Sequence, residues 1–324
     1  MTSDAPIHEL LPETRRFPPA AAYREAANVP ADAWERAAAD PIAFWADAAH
    51  RLTWDRPWDV AHSWQPALGA DGELAPPRAE WFAGGTLNAA VNCVDRHVTA
   101  GLGDRVAYYF EGERGDRRTL TYGDLQREVA RAAHALAELG VGRGDRVVVY
   151  LPVIPETVIA TLAIARLGAV HSLVFGGFSA DALRFRVEDT GAKLLITSDG
   201  QFRRGAAVAV KDNADAAVAG LDHVEHVLVV RRTGDEIPWT EHRDVWWHDI
   251  VDRQPDVHAA ESFDAETPLF IIYTSGTTGR PKGLVHTTGG YLTQAAWTHW
   301  AAFDAKPEAD VHWSTADLLS LIHI

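Results

Sequence analysis

The 324-residue chain sets 30 Lys and Arg against 45 Asp and Glu, a formal net charge of −15 at pH 7, which excludes nonspecific capture by nucleic acid or by an anionic membrane surface. With 47% hydrophobic residues it can bury a large core, in one large or two ordinary domains; its single cysteine, Cys93, excludes an internal disulfide and a multi-cysteine metal site. No run of about 18 apolar residues occurs, and the opening MTSDAPIHELLPETRR lacks a signal-peptide core, so a soluble, cytoplasmic protein is expected.

Residues 1–100 are rich in tryptophan and proline, with Trp34, Trp45, Trp54, Trp58, Trp64 and Trp81 interrupted by Pro41, Pro57, Pro76 and Pro77. Such segments cover large areas without supporting long helices, and this one is read as an N-terminal cap with one short helix in ADPIAFWADAAHRLTW. Asp95, Arg96 and His97 are read as a structural ion pair and Cys93 as a small buried hydrophobe, not as catalytic groups. From Asp104 the pattern becomes regular. VAYYFEG is a strand, and Thr121 opens a helix with Asp124 at the capping-box position. Tyr122, Leu125, Val129, Ala132, Ala133, Leu136 and Leu139 share one face of that helix, and Gly140 ends it. Strands are predicted at 146–151, 172–175, 193–197 and 224–230, with helices at 155–167, 180–189 and 205–218 between them. This alternation predicts a mostly parallel sheet with right-handed crossovers. The acidic, aromatic stretch after Arg231 reads as surface loop with one short helix, and Phe270–Tyr273 as a returning buried strand.

Three stretches carry chemistry. FGGFS, Phe175–Ser179, lies where a strand ends and a helix begins, the place where open α/β sheets collect ligands; glycine serves an ordinary turn there equally well. DGQFRRG, Asp199–Gly205, offers two adjacent guanidiniums, suited to phosphate or simply to a solvated surface. The third follows Tyr273: Thr274, Ser275, Gly276, Thr277, Thr278, Gly279, Arg280, Pro281, Lys282, Gly283. Its glycines let backbone N–H groups approach an anion, its hydroxyls add neutral donors, and Lys282, one of only four lysines, supplies a compact charge for a nucleotide polyphosphate. It is not a Walker loop, because Pro281 lacks an N–H and Lys282 arrives two residues late. None of the 15 histidines stands in an H-E-x-x-H pattern, and His171 and His286 are read as hydrogen-bonded core residues.

The stretch TSGTTGRPKG resembles the signature loop of the acyl-adenylate-forming family. The continuation His286–Tyr291, the later Trp313–Asp317 (WSTAD) and the earlier WFAGGTLNAAVNCVDRH, residues 81–97, are similar to the AMP-forming acetyl-CoA synthetases, and the resemblance runs from about Tyr23 to Asp317. It implies an α/β fold, the N-terminal part of the acyl-adenylate-forming large domain, with an N-terminal cap over 1–100 and an adenylation domain over 101–318.

The implied substrates are acetate, ATP with Mg2+, and coenzyme A. By the same resemblance Thr274, Ser275, Gly276, Thr277, Thr278, Gly279 and Lys282 contact ATP phosphates, Lys282 being the catalytic bet, and Phe175, Gly176 and Gly177 lie along the CoA channel. Two basic residues spaced three apart contact the CoA nucleotide in the family. Arg203 matches the first, the second falls on Ala206, and adjacent Arg204 is the expected compensation. Magnesium is implied through ATP alone, with no protein metal site. After Asp317 the sequence departs from the family into LLSLIHI; Leu319–Ile324 resembles one frame of a transposon-derived sequencing adapter and is expected to be non-native. The family's acyl pocket, ribose-binding acid and C-terminal lysine domain would follow that point, so an inactive fragment of an acetate-activating enzyme is expected. Another short-acyl ligase such as a propionate enzyme, or a nucleotide- or CoA-binding module without turnover, stand as alternatives.

Overall fold

The computed structural model describes residues 15–66, 76–274 and 280–314. The run RVVVYL forms β6 (Arg146–Leu151), the centre of a seven-stranded sheet. Its neighbours are β8 (Leu194–Ser198), β7 (Val170–Phe175), β11 (His226–Val230), β12 (Asp244–Trp246), β14 (Pro268–Thr274) and β15 (Lys282–Thr287), in the order β12-β11-β8-β6-β7-β14-β15. All neighbours pair in parallel except β14 and β15, which run antiparallel.

Alternation along β6 divides the core in two. Val147, Val149 and Leu151 pack with α4 (Tyr122–Glu138), α5 (Pro155–Arg166) and α8 (Trp247–Val251). Val148 and Tyr150 face the other layer, where α6 (Ala180–Thr190) supplies Leu183 and Val187 and α7 (Lys211–Val218) supplies Ala214 and Ala217. Apolar residues on both faces of a strand are what a sheet covered on both sides requires. The predicted capping box of α4 forms: the Thr121 hydroxyl accepts from the Asp124 N–H at 3.1 Å, and the Asp124 carboxylate accepts from the Thr121 N–H at 3.0 Å. Gly140 ends the helix at φ 79°, a conformation costly for any residue with a Cβ.

Before the sheet come α1 (Ala21–Ala26), α2 (Ala33–Ala39), α3 (Pro41–Ala49), the hairpin of β1 (Val60–Gln65) and β2 (Arg78–Ala83), and β3 (Thr86–Leu87), followed by two π-helical turns at Val91–Asp95 and Val98–Leu102. They pack on α9 (Thr288–Ala301). Phe44 meets the Trp297 ring at 4.8 Å, and the Arg51 guanidinium lies 3.6 Å from the Trp300 ring centre. The tryptophans are not equivalent: Trp54, Trp58 and Trp81 pack on a third core cluster, whereas Trp34 and Trp64 are exposed.

One local expectation changes. The helix expected over 205–218 begins only at Lys211; residues before it form a hairpin of β9 (Gly200–Arg203) and β10 (Ala206–Ala209), turned by Arg204 and Gly205, both at positive φ. Asp95 forms the expected structural ion pair, with Arg166 at 2.8 Å, while the Arg96 guanidinium donates to the Arg51 carbonyl. The strands β4 (Val106–Glu111) and β5 (Arg117–Thr121) form their own antiparallel ribbon, and β13 (Phe263–Asp264) pairs with β3. No helix among the described residues is long and apolar enough to cross a membrane.

Candidate functional site

The glycine- and hydroxyl-rich stretch is the connection of the β14–β15 hairpin. Thr274 ends β14, Lys282 opens β15, and the two are register partners across the antiparallel ladder, so the loop leaves and re-enters the sheet at adjacent points. Ser275, Gly276, Thr277, Thr278 and Gly279 lie outside the described residues. Lys282 is exposed. The sheet end below it is anchored from α6: the Tyr273 hydroxyl donates to Asp189, and the Arg186 guanidinium lies over the Phe178 and Tyr273 rings at 4.9 and 5.1 Å. Burial first, then the Asp189 hydrogen bond and charge, raises the Tyr273 phenol, so Tyr273 stays a donor.

A second site lies along the same edge, since β6, β7 and β14 are parallel and their carboxyl ends face one way. There a cleft of about 230 Å3 is lined by Phe110 to Glu113, Pro152 to Ile154, Phe175, Gln201 to Arg203, and Arg232. Gly176 and Gly177 form the turn after β7. A Cβ on Gly177 would sit 2.6 Å from both Arg203 Nη1 and the Phe175 ring, so only glycine lets the Arg203 fork lie over Phe175, 5.3 Å from its centre. Gln201 Nε2 donates to the Gly176 carbonyl at 2.8 Å, tying the turn to β9. Phe175, Gly176, Gly177 and Arg203 are therefore brought together. Arg204 is not: it occupies the exposed turn of the β9–β10 hairpin at φ 53° and does not line the cleft.

The cleft's scaffold hangs on Asp199, a buried residue that sequence reading left unassigned. Its Oδ1 accepts from the N–H groups of Gly200 (2.7 Å), Arg232 (2.7 Å) and Thr233 (3.0 Å), and its Oδ2 from Gly234 (2.8 Å). One carboxylate thus joins the start of β9 to the loop after β11. The signal was present in outline, an Asp at the carboxyl end of a strand, but three of its four partners lie more than thirty residues away.

Toward β14 the core carries an aromatic stack. Phe270 lies between His171 (5.6 Å, 26° between planes) and His286 (4.6 Å, 17°). His171 Nδ1 and His286 Nε2 are buried without hydrogen-bond partners among the described residues, which corrects the reading of both as hydrogen-bonded. Burial lowers both rings, His171 to about 4, so they pack as neutral aromatics. Cys93 is likewise corrected from buried to exposed: it forms part of the wall of an apolar cavity of about 260 Å3 between α5, β14 and α9, where burial of the group in surrounding protein still raises the thiol above its usual value. No group of three or more His, Cys, Asp or Glu side chains among the described residues is placed to hold a metal ion.

Against this geometry, the model of the AMP-binding enzyme family matches residues 95–323, which holds the sheet, both candidate sites and the β14–β15 hairpin. The chain belongs to the AMP-binding enzyme family. A second model, the acetyl-coenzyme A synthetase N-terminus, matches residues 31–93, the tryptophan-rich segment that packs on α9. An acetyl-coenzyme A synthetase of Streptomyces coelicolor is 57% identical over 316 residues, covering 98% of this chain and 47% of that protein. The like-named proteins of Mycobacterium tuberculosis and Deinococcus radiodurans are 55% and 49% identical, covering 96% of this chain and again 47% of each relative. The chain therefore spans about half the length of the curated relatives it matches. The β14–β15 hairpin and the arginine cleft both lie on the carboxyl edge of the one parallel sheet.

Proposed function

We propose that the protein containing this chain activates acetate: acetate and MgATP give acetyl-adenylate and pyrophosphate, and coenzyme A then takes the acetyl group. In the first step an acetate oxygen attacks the α-phosphorus in line, and the bond to the β-phosphate oxygen breaks. In the second, the CoA thiolate attacks the acetyl carbon, and AMP leaves with the electron pair of the C–O bond. Neither step needs a protein nucleophile; both need positioning and charge neutralisation. The observation that carries the reading is the Thr274–Lys282 pairing, which holds a loop of glycines and hydroxyls with its lysine at the carboxyl end of β14, beside the arginine cleft.

In this reading Lys282 places its ammonium on the pyrophosphate oxygens, and Thr274, Ser275, Gly276, Thr277, Thr278 and Gly279 complete the cradle with hydroxyl and backbone donors. Phe175, Gly176, Gly177 and Arg203 form a wall of the CoA channel, the arginine facing phosphate. Magnesium would reach the site on ATP, neutralising phosphate charge, and would need few protein ligands of its own. Residues 1–100 serve as the cap and 101–318 as part of the adenylation domain. The relatives' doubled length favours a second reading for the 324-residue polypeptide by itself, that it binds nucleotide or CoA without turnover.

Acetate-dependent ATP–pyrophosphate exchange tests both. The longer protein should exchange, and Lys282→Ala in it should lower the rate about a hundredfold or more with its melting temperature unchanged. The 324-residue chain should show no exchange. Equal loss of rate and stability on Lys282→Ala would make the hairpin loop a structural element and sink the assignment; preference for propionate over acetate in the same assay would shift the substrate to another short acyl group.

A further inference from the structure

Position 206, where the family resemblance implies a second cation after Arg203, holds alanine, and Ala206 is exposed on β10 directly across the hairpin from Arg203. A different arginine fills the cleft. We propose that Arg232 is the second phosphate-binding arginine of this site, taking a phosphate of coenzyme A in exchange for its present partner, Asp116. The proposal rests on the CoA reading of the cleft given above.

Arg231 and Arg232 are adjacent, yet they diverge. The Arg231 guanidinium lies over Trp246 at 4.7 Å, away from the cleft, whereas Arg232 lines the cleft with Arg203. Its backbone N–H is one of the four held by Asp199, which fixes where the side chain starts. The stem is then steadied between two rings, the guanidinium lying 5.6 Å from the Phe110 centre and 5.2 Å from that of Phe202. Stacking of this kind leaves the edge of the guanidinium plane, where its N–H donors lie, free for an oxyanion.

That edge is now occupied by a carboxylate. Arg232 Nη1 and Nη2 meet Asp116 Oδ2 and Oδ1 at 2.6 and 3.1 Å, the bidentate geometry that phosphate also satisfies. The Asp116 side chain is 42% exposed, and a pair screened by solvent to that degree contributes little. A phosphate carrying up to two charges competes well for the same fork. The other acids of the cleft are engaged: Glu111 pairs with Arg117, and Glu113 accepts the Gly205 N–H. Arg114 over Phe202 adds a third cation beside the cleft. Arg203 has an aromatic face and no carboxylate partner among the described residues, so the two guanidiniums differ in kind. Arg203 is open to ligand from the start, while Arg232 is held ready by an exchangeable counter-ion.

The test is calorimetric titration of the 324-residue chain with CoA and with dephospho-CoA, each variant checked for an unchanged melting temperature. Arg203→Ala and Arg232→Ala should each weaken CoA about tenfold or more, the scale of a lost charge-assisted hydrogen bond. Asp116→Asn should tighten CoA about two- to fivefold by removing the competitor, and Arg232→Lys should recover part of the loss as a point charge. If Arg232→Ala weakens CoA but not dephospho-CoA, its ligand is the ribose phosphate; if it weakens both, the ligand is the diphosphate. Either result supports the proposal. If Arg203→Ala loses affinity while Arg232→Ala stays within twofold of the parent chain, Arg232 is not a ligand and the CoA reading stands. If the parent chain binds no CoA, or Arg203→Ala changes nothing, the CoA reading itself falls. Should Arg232→Ala melt early, Arg232→Lys and Asp116→Asn carry the test, and no change in either overturns the proposal.

Discussion

The two flanks of the central sheet are built differently. On the β8–β11 side the strands are buried along nearly their whole length, and the loops beyond them are held by the four bonds of Asp199 and by Lys211, a fully buried lysine that bonds Asp215 and Asp244 at 2.7 Å each. On the β14–β15 side the last strand shows Lys282, Gly283, Leu284 and Val285 to solvent, and β14 joins β7 through the pair of Phe270 and His171, a histidine that must stay neutral. Local stability follows buried contacts and satisfied polar groups, so the arginine cleft stands on the firm flank and the β14–β15 hairpin on the soft one. Ligand-binding loops in general are drawn from the less stable parts of a fold.

Substitutions can break this contrast, beginning with the firm flank. Asp199→Ala leaves four N–H groups without their acceptor, one in a buried bond and three in part-buried ones, and should cost about 2–4 kcal/mol in chemical denaturation together with CoA affinity; a loss below about 1 kcal/mol would mean that the junction is held by something else. On the soft flank the lever is pH. His171 has its folded pKa lowered from 6.5 to about 4 by burial, so the unfolded chain binds its proton first. Stability from this group is fully present above pH 6.5 and is lost as pH falls toward 4, by about 3 kcal/mol over that window. His171→Leu should flatten that part of the stability–pH curve, and an unchanged slope would remove His171 from the account. The smallest effect belongs to the exposed edge: Val285→Lys should change stability by less than about 0.5 kcal/mol while reducing self-association of the chain in sedimentation.

Much of the firm flank's regular structure was legible. The helix face of α4, its capping box and the apolar run of β6 repeat at the periods of helix and strand, and burial on both sides of the sheet enforces those periods. What stayed hidden is set by distance along the chain. AAVA at 206–209 reads as helix until Gly205 and Arg204 turn at positive φ, and Ala206 then pairs with Arg203 as a strand. Arg232 sits in a stretch that reads as loosely ordered, and only the fold carries it to Arg203. The short β12 has three residues, too few for periodicity to register. Phe175, Gly176, Gly177 and Arg203, which the sequence offered as two separate motifs, lie together in the fold, while Arg204 is displaced by a turn that no spacing announced. The histidine stack was missed because a ring flanked by apolar residues reads the same whether its nitrogens are bonded or bare.

The difference between the flanks can be measured directly by native-state hydrogen exchange of the 324-residue chain, resolved by peptide. Amides of 194–198 and 226–234 should exchange only at the rate of global unfolding. Those of 268–274 and 282–287 should exchange faster by a factor of about a hundred or more, and ATP with magnesium should slow the second set alone. Equal protection of the two sets without ligand would contradict the account.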